Sequence, residues 1–428
     1  MTARTVDQLD TDVVICGSGV AGLATACALG RLGLDVVLVE KRRQQPHIAK
    51  GEVLQPGSLR ILQGWEVLHR LESRQAVRLN RLVAREADGD ELATMDFGTL
   101  GGNRSWMLSH DYSTILECTG EALGETVRLR RGVLANELIR DAGGRVAGVR
   151  VSEGGREYEI RARLVVAADG MSSRLRRMAG MSADPVAYGH RLLSFELADV
   201  PVAPDEVSAY VTRRGLVMIY PLPHERTRVY VQVAPDELRR ADAARLEHWC
   251  AELVADVPAL APFAHLFKEA LDRRQLLQVW RYRALSLVRP GIALVGEAAH
   301  GVHPLTAQGM NTAIGDAHTL AVHLAGTAPG ATAAVDEALR GYENERLSRI
   351  RDIHVMSHNA ARMMTSTSRV GRMLGRRLLS GTGRSARLRY LTTFNMSGLG
   401  MRPLTGFDRL VQLGVLPDPK ARSFVPSH

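Results

Sequence analysis

No apolar run in this 428-residue chain approaches the roughly 20 residues that a membrane-spanning helix needs. The opening stretch, MTARTVDQLDTD, is polar and lacks the apolar core of a signal peptide, so the expected location is the cytoplasm. Cysteine is scarce. Cys16, Cys27, Cys118 and Cys250 form no CxxC pair, which excludes a disulfide framework or a zinc knuckle. Aromatic residues are only 5% and do not interleave with the basic ones, which removes a surface for stacking bases. One segment lacks acid altogether: Ile353–Phe407 holds nine arginines and no lysine, aspartate or glutamate. Of 55 basic residues in all, 46 then remain to balance the 46 acidic ones, so the net charge of +9 is local. A local charge of that kind argues against a nucleic-acid partner.

What is present starts at Thr11–Arg42, TDVVICGSGVAGLATACALGRLGLDVVLVEKR. An apolar strand runs into Gly17, Gly19 and Gly22; a helix of small residues follows to about Arg31, and Leu34–Val39 reads as a second buried strand closed by Glu40. Gly17 permits a tight turn, Gly19 lets backbone approach a pyrophosphate, and Gly22 allows helix to pack on strand. The helix N-terminus offers unpaired N–H groups to phosphate. Glu40, 18 residues beyond Gly22, stands where a carboxylate accepts hydrogen bonds from a ribose. Two later stretches repeat the strand-into-glycine design. Leu164–Arg176, LVVAADGMSSRLR, delivers Asp169 and Gly170 to a turn, and Gly296–Ala317, GEAAHGVHPLTAQGMNTAIGDA, precedes a helix expected over Thr312–Leu324. His300 and His303 have HxxH spacing but lie on a loop with no third ligand, so no metal is expected.

Between these motifs the pattern alternates with period two. Val77 to about Phe97 and Val186–Leu287 read as strands, with a turn at Asp88-Gly89-Asp90 and a helix at Ala243–Val257; Ser105–Leu123 reads as helix. Beyond Thr327 the chain reads as helical. The expected fold is therefore α/β: a Rossmann-like dinucleotide-binding domain with an inserted antiparallel β-sheet domain and a helical C-terminal extension. Residues 1–76, 103–180 and 285–327 would form the first, 77–102 and 181–284 the second, and 328–428 the third.

Taken in order, the three motifs resemble those of the flavoprotein monooxygenases of the aromatic-hydroxylase type, over roughly Asp12–Ala325. The resemblance implies single-component enzymes that use FAD, molecular oxygen and NADH or NADPH. It places the ADP half of FAD on Gly17, Gly19, Val20, Ala21, Gly22, Glu40, Lys41 and Arg42. Asp169 and Gly170 would serve FAD and the nicotinamide cofactor. Gly296, Glu297, Pro304, Ala307, Gln308, Gly309, Met310 and Asn311 would hold the ribityl chain, the second phosphate and the ring. By the same resemblance Lys50 contacts the flavin region, Ala135 meets adenine with its backbone, and His110 stands where an arginine usually contacts the cofactor. Position 297 is Glu where the family usually has Asp. Locally, GEVLQPGSLRILQ (Gly51–Gln63) is similar to squalene epoxidases, which implies a lipophilic substrate, aromatic, polyketide or isoprenoid-like, of secondary metabolism.

Tyr210, Tyr220 and His224 lie in the expected substrate sheet; each is read either as a substrate contact or as sheet packing and a turn. No catalytic acid–base pair stands out, and oxygenation of an olefin needs none, whereas a phenol would need a base. Arg369, Arg372, Arg376 and Arg377 interleave with Val370, Met373, Leu374 and Leu378 at helical spacing. Such a helix either contacts an anionic membrane peripherally or packs its apolar side on the core; with no aromatic anchor beside the arginines, packing is the favoured reading. Two rival functions remain open: a flavin-dependent reductase or dehydrogenase acting on an isoprenoid chain, and a flavin-binding protein without turnover.

Overall fold

A computed structural model describes residues 8–45, 48–102, 105–199, 202–239, 241–327 and 331–420. The strand Gln8–Cys16 lies at the centre of the first sheet, because its apolar half is buried on both faces. It pairs in parallel with Val36–Glu40 on one side and Arg156–Ala167 on the other. Val127–Arg131 and Ile292–Leu294 extend the parallel sheet outward. Two antiparallel strands, Val133–Arg140 and Val146–Glu153, branch from Arg156–Ala167. The helices Val20–Gly30 and Gln308–Leu324 pack together over this sheet. All three glycine motifs therefore leave the carboxyl ends of neighbouring parallel strands, where open α/β sheets bind ligands.

The second sheet has eight strands, in the order His300–Gly301, Gln275–Arg283, Val186–Ala198, Arg226–Val233, Gly215–Leu222, Glu206–Thr212, Arg81–Glu86 and Glu91–Asp96. It is antiparallel except where Glu206–Thr212 meets Arg81–Glu86 in parallel. Both its faces are covered. Along Gly215–Leu222, Leu216, Met218, Tyr220 and Leu222 face one core, while Val217 and Ile219 face another beneath the helix Ala243–Asp256. A three-stranded sheet of Val53–Leu54, Met107–Ser109 and Val77–Leu79 lies at the junction.

The sequence reading differs from the structure at several places. Ser105–Leu123 is not all helix: Met107–Ser109 is a strand, and the helix occupies Tyr112–Glu121. The third helix segment of the glycine motifs begins at Gln308 rather than Thr312, because Ala307 adopts a left-handed backbone (φ 48°) that turns the chain into the helix. The strand Val133–Arg140 and the helix Ala264–Ala270 carry weak periodicity and were not expected. The helix Arg369–Arg384 does not bury its apolar stripe: Val370, Met373 and Leu374 are exposed, and Leu379, Gly375, Gly381 and Thr382 make the buried face. Among the described residues no helix is long and apolar enough to cross a membrane.

Candidate active site

A cavity of about 710 Å³ runs from the glycine turn of the first strand to the inner face of the second sheet. At its nucleotide end the backbone is tight. Gly17 has φ +109°, and a Cβ there would lie 2.3 Å from the Ala168 carbonyl oxygen; a Cβ on Gly22 would lie 1.7 Å from the Gly17 oxygen. Any side chain at these positions would push the strand, turn and helix apart. Glu40 closes the turn from the neighbouring strand. Its carboxylate accepts from the Ser18 amide at 2.9 Å and the Ser18 hydroxyl at 3.3 Å, and from the Arg42 amide at 2.9 Å. Gly17, Gly19, Val20, Ala21, Glu40, Lys41, Arg42 and Ala135 all line this end. Gly22 does not line it, and supports it through packing.

The second motif caps a short helix over the same space. One Asp169 oxygen accepts from the amides of Arg174 (2.8 Å) and Leu175 (3.2 Å); the other, Oδ1, is buried without a protein partner. Ser173 caps the helix Arg174–Met178 by accepting from the Arg176 amide at 3.0 Å. The buried Arg176 guanidinium donates to the Ala298 carbonyl at 2.7 Å, tying this motif to the third. Asp169 and Gly170 line the cavity.

In the third motif the Gly296 amide donates to Asp316 at 2.9 Å. Burial alone would raise the Asp316 carboxyl, but Arg346 and His300 beside it hold it below the usual range. Asp316 thus holds the loop through the Gly296 amide, a role that no local pattern announces. His300 bonds Asp316 at 2.7 Å and His303 bonds His190 at 3.0 Å, so the two rings serve separate contacts. Glu297, with its extra methylene, reaches across the cavity to the Lys50 ammonium at 2.6 Å. Pro304, Ala307, Gly309 and Met310 line the wall at the N-terminus of the 17-residue helix.

Five expected cofactor contacts are placed elsewhere. Gly22 and Gly296 are packing positions; a Cβ on Gly296 would lie 2.5 Å from that of Ala21. Gln308 is buried outside the cavity lining and donates to the Met396 carbonyl at 2.8 Å. Asn311 accepts from the Gln55 amide at 2.8 Å and donates to the Val53 carbonyl at 2.9 Å, pinning the 53–55 segment to the helix. His110 is buried away from the cavity: its Nε2 donates to the Arg74 carbonyl and its Nδ1 accepts from the Asp111 amide. The end of the strand Met107–Ser109 aims it at the Arg74 carbonyl, and it does not line the cavity. In its place the sequence reading missed Tyr112 and Gln55, both of which line the cavity; neither side-chain polar atom of Gln55 has a protein partner.

FAD fits this space on the structure's own terms. The glycine turn from Gly17 to Ala21 lines the cavity, Gly309 has nothing within 4 Å of a built Cβ, and Asp169 and Gln55 present unpaired polar atoms. Buried polar groups without protein partners mark where a polar ligand supplies them.

The far end is apolar, walled by Leu82, Met107, Val207, Met218, Leu277 and Leu305, with Tyr220 and Tyr230 among them. The Tyr220 hydroxyl donates to Glu52 at 2.7 Å. Arg228 grips the same carboxylate through Nε and Nη2, at 2.9 and 2.7 Å, and its Nη2 also reaches Glu196 at 3.0 Å. Burial and the Glu52 charge push the Tyr220 phenol well above its ordinary range, so it is a neutral hydrogen-bonding group. Tyr210 faces the opposite core with Val217 and Ile219, and His224 sits exposed in a turn at φ 61°. Strand alternation separates the two tyrosines: only Tyr220 reaches the cavity.

The FAD binding domain family model matches residues 10–357. The chain is 31% identical to 6-methylpretetramide 4-monooxygenase of Streptomyces rimosus over 73% of its own length and 74% of that protein's. It is 26% identical to mouse squalene monooxygenase over 72% of its own length, but that match spans only about half (53%) of the mouse protein. The crystal structure of P. aeruginosa PqsL with 2-aminobenzoylacetate superposes with a TM-score of 0.75 at 26% identity, covering 85% of this chain and 98% of PqsL. The chain belongs to the FAD binding domain family, and its likeness within it is to flavoprotein monooxygenases of the aromatic-hydroxylase type.

Proposed function

We propose that this protein inserts one oxygen atom from molecular oxygen into a hydrophobic small molecule, hydroxylating or epoxidising it. The observation that carries the reading is the single cavity that joins a nucleotide cradle to an apolar compartment. Bound FAD, reduced by NADH or NADPH, supplies the activation of oxygen. The chain supplies the rest. Glu40 meets the ribose, the amides at the start of the helix Val20–Gly30 meet the pyrophosphate, and Asp169 with the Pro304–Met310 wall meets the remainder. The Lys50–Glu297 pair stands where the two ends of the cavity join. The aliphatic wall excludes water, which protects a reactive oxygen donor from wasteful breakdown. Tyr220, held by Glu52, offers one hydrogen-bonding group against which the substrate is oriented.

In this reading 1–76, 103–180 and 285–327 serve as the FAD unit, 77–102 and 181–284 as the substrate unit, and 328–428 as a C-terminal extension, with the strand His300–Gly301 of the first unit pairing into the second unit's sheet. An aromatic, polyketide or isoprenoid-like substrate of secondary metabolism suits the compartment. Four buried free thiols suit a reducing compartment such as the cytoplasm, and a membrane-borne substrate would bring the arginine-rich C-terminal helices to a membrane surface.

The test is a visible spectrum of the purified protein, then anaerobic addition of NADPH or NADH with and without lipophilic ligands. Flavin bands that bleach faster with a ligand and return with oxygen, the product gaining one oxygen atom, are the expected result. Bleaching with a reduced product and no oxygen uptake would instead identify a reductase, and bands that never bleach a binding protein.

A further inference from the structure

The helix Arg369–Arg384 has two unlike faces. Gly375, Leu379, Gly381 and Thr382 bury one of them against the molecule. The other turns Val370 (71% exposed), Met373 (66%) and Leu374 to solvent, with Arg369, Arg376 and Arg377 between and beside them. The next segment adds to this surface. Phe407 and Leu410 lie a turn apart on the helix Gly406–Gln412 and are both exposed. The Leu410 carbonyl accepts from the Val415 amide, which folds the exposed Val415 (62%) and Leu416 back beside them. Arg377 donates to the Leu413 carbonyl, and Leu416 shares a surface cleft with Arg377 and Arg384, so the two segments form one face. The aromatic that the arginine helix lacks is thus supplied by its neighbour, as Phe407.

Most of the charge on this face has no acidic partner. Asp408 and Asp418 are both engaged by Arg387, and Glu86 takes Arg376. Among the described residues no carboxylate pairs with Arg369, Arg372, Arg377 or Arg384. An apolar patch studded with free arginines is a poor face for a second copy, because pairing would set arginine against arginine. It is a poor one for nucleic acid too, because exposed valine, leucine and methionine gain nothing from phosphate or base edges. A bilayer with acidic headgroups satisfies both features at once: apolar tips enter the headgroup boundary while the guanidinium groups meet phosphate.

We propose that the helix Arg369–Arg384 and the segment Phe407–Leu416 form a docking face for the surface of a bilayer containing anionic phospholipid. The position has a use. Leu379 on the arginine helix, and Tyr390 and Met396 on the helix Ala386–Met396, belong to the same core as Leu82, Met218, Tyr220 and Leu305 of the apolar compartment. The docking face therefore backs the substrate end, where a lipophilic molecule would arrive. This extends the reading of a hydrophobic substrate, but its test does not depend on turnover.

The FAD-loaded full chain is sedimented with vesicles of phosphatidylcholine alone and of phosphatidylcholine mixed with phosphatidylglycerol, at low and high salt. Binding to the mixed vesicles only, lost at high salt, is expected. Arg369→Gln and Arg377→Gln should each weaken it about fivefold. Val370→Ser with Met373→Ser should weaken it as well; for this pair and for Arg369→Gln the melting temperature and flavin spectrum should hold, because those three side chains are exposed. No sedimentation, equal sedimentation with both vesicles, or indifference to these substitutions would overturn the proposal. So would a dimer in light scattering that the Val370→Ser, Met373→Ser variant abolishes, which would show that a second copy covers the face.

Discussion

Replacing Glu52 by alanine would strip two buried groups of their partner at once. Arg228 would keep only Glu196, itself partly exposed, and weak contacts to the Ser194 hydroxyl (3.4 Å) and the Phe195 carbonyl (3.3 Å). Leaving one member of a buried ion pair alone costs about 3–5 kcal/mol. The Tyr220 hydroxyl would also lose its acceptor, at about 1–3 kcal/mol. Glu52 lines the cavity, so water can enter the vacated space and soften both losses. We expect a net destabilisation of about 4 kcal/mol. At about 2.1 cal/mol/K per residue, a 428-residue chain unfolding as one unit has an unfolding entropy near 0.9 kcal/mol/K, which makes the shift about 4 °C. The assay is a thermal melt at fixed excess FAD, because bound ligand raises apparent stability. Glu52→Ala, Arg228→Met and the double variant complete a cycle in which the double should melt above Glu52→Ala alone. A loss below about 1 kcal/mol for Glu52→Ala, or single effects that simply add, would refute the claim that the pair is held as a buried unit.

Glu40→Ala should weaken FAD binding by about 1–3 kcal/mol through loss of the ribose contact and of the Ser18 tether; titration by flavin fluorescence checks this, and an unchanged Kd would count against the nucleotide assignment. Gly309→Ala has room in the apo-protein, so its melting temperature without FAD should hold. The added methyl would intrude where the cofactor approaches the helix, weakening FAD by about 2 kcal/mol, near 30-fold. FAD affinity equal to the parent's would place the cofactor elsewhere. Burial, with His190 and His358 nearby, holds His303 down to about 3, and burial with Arg281 and Arg283 holds His354 near 4. Both pKa values are depressed below the ordinary 6.5, so the unfolded chain binds more protons between these limits. Stability should be full above pH 6.5 and fall as the pH drops toward 3, by up to about 1.4 kcal/mol per unit for each ring. His303→Asn keeps an acceptor for the Leu305 amide and should flatten the melting curve's pH dependence over that window; an unchanged slope would remove His303 as a cause.

The glycine turns, the parallel strands and Glu40 were legible in the sequence because backbone sterics leave few residue types able to make them. Gly17 and Gly22 show the constraint at 2.3 and 1.7 Å. Which way a side chain points was legible only where a neighbour in sequence fixed it. Tyr210 and Tyr220 look alike in alternating strands, and the face each takes is set by register against strands far away. His110, Gln308 and Asn311, expected from the sequence as cofactor contacts, turn to the Arg74, Met396 and Val53 carbonyls, partners that no local pattern announces. Glu52 and Arg228 are separated by 176 positions, and Asp316 holds Gly296 from a helix 20 residues on. Long-range polar pairing of this kind is invisible until the chain is folded. The exposed stripe Val370, Met373 and Leu374 is the converse case, because helical spacing reveals an apolar face but not whether anything covers it.

The distribution of charge along the cavity narrows what the compartment admits. Lys41, Arg42, Lys50, Arg131, Arg174 and Arg177 are the cations among its lining residues, and they belong to the segments that carry the glycine motifs or border them. At the sheet end the nearest guanidinium is Arg228, whose arms are taken by Glu52 and Glu196. A substrate carboxylate entering there would shed its water without finding a free cation, and an unpaired buried charge costs far more than apolar contact returns. An uncharged molecule bearing one hydroxyl would meet the opposite situation. Its carbon skeleton would displace water from Leu82, Met218 and Leu277, and its hydroxyl could donate to the Tyr220 oxygen, whose own proton goes to Glu52. Glu52 and Arg228 would then act at one remove: their paired charges hold the tyrosine in place and neutral, so the proposed compartment would orient a ligand without offering a charge to attract a small acid.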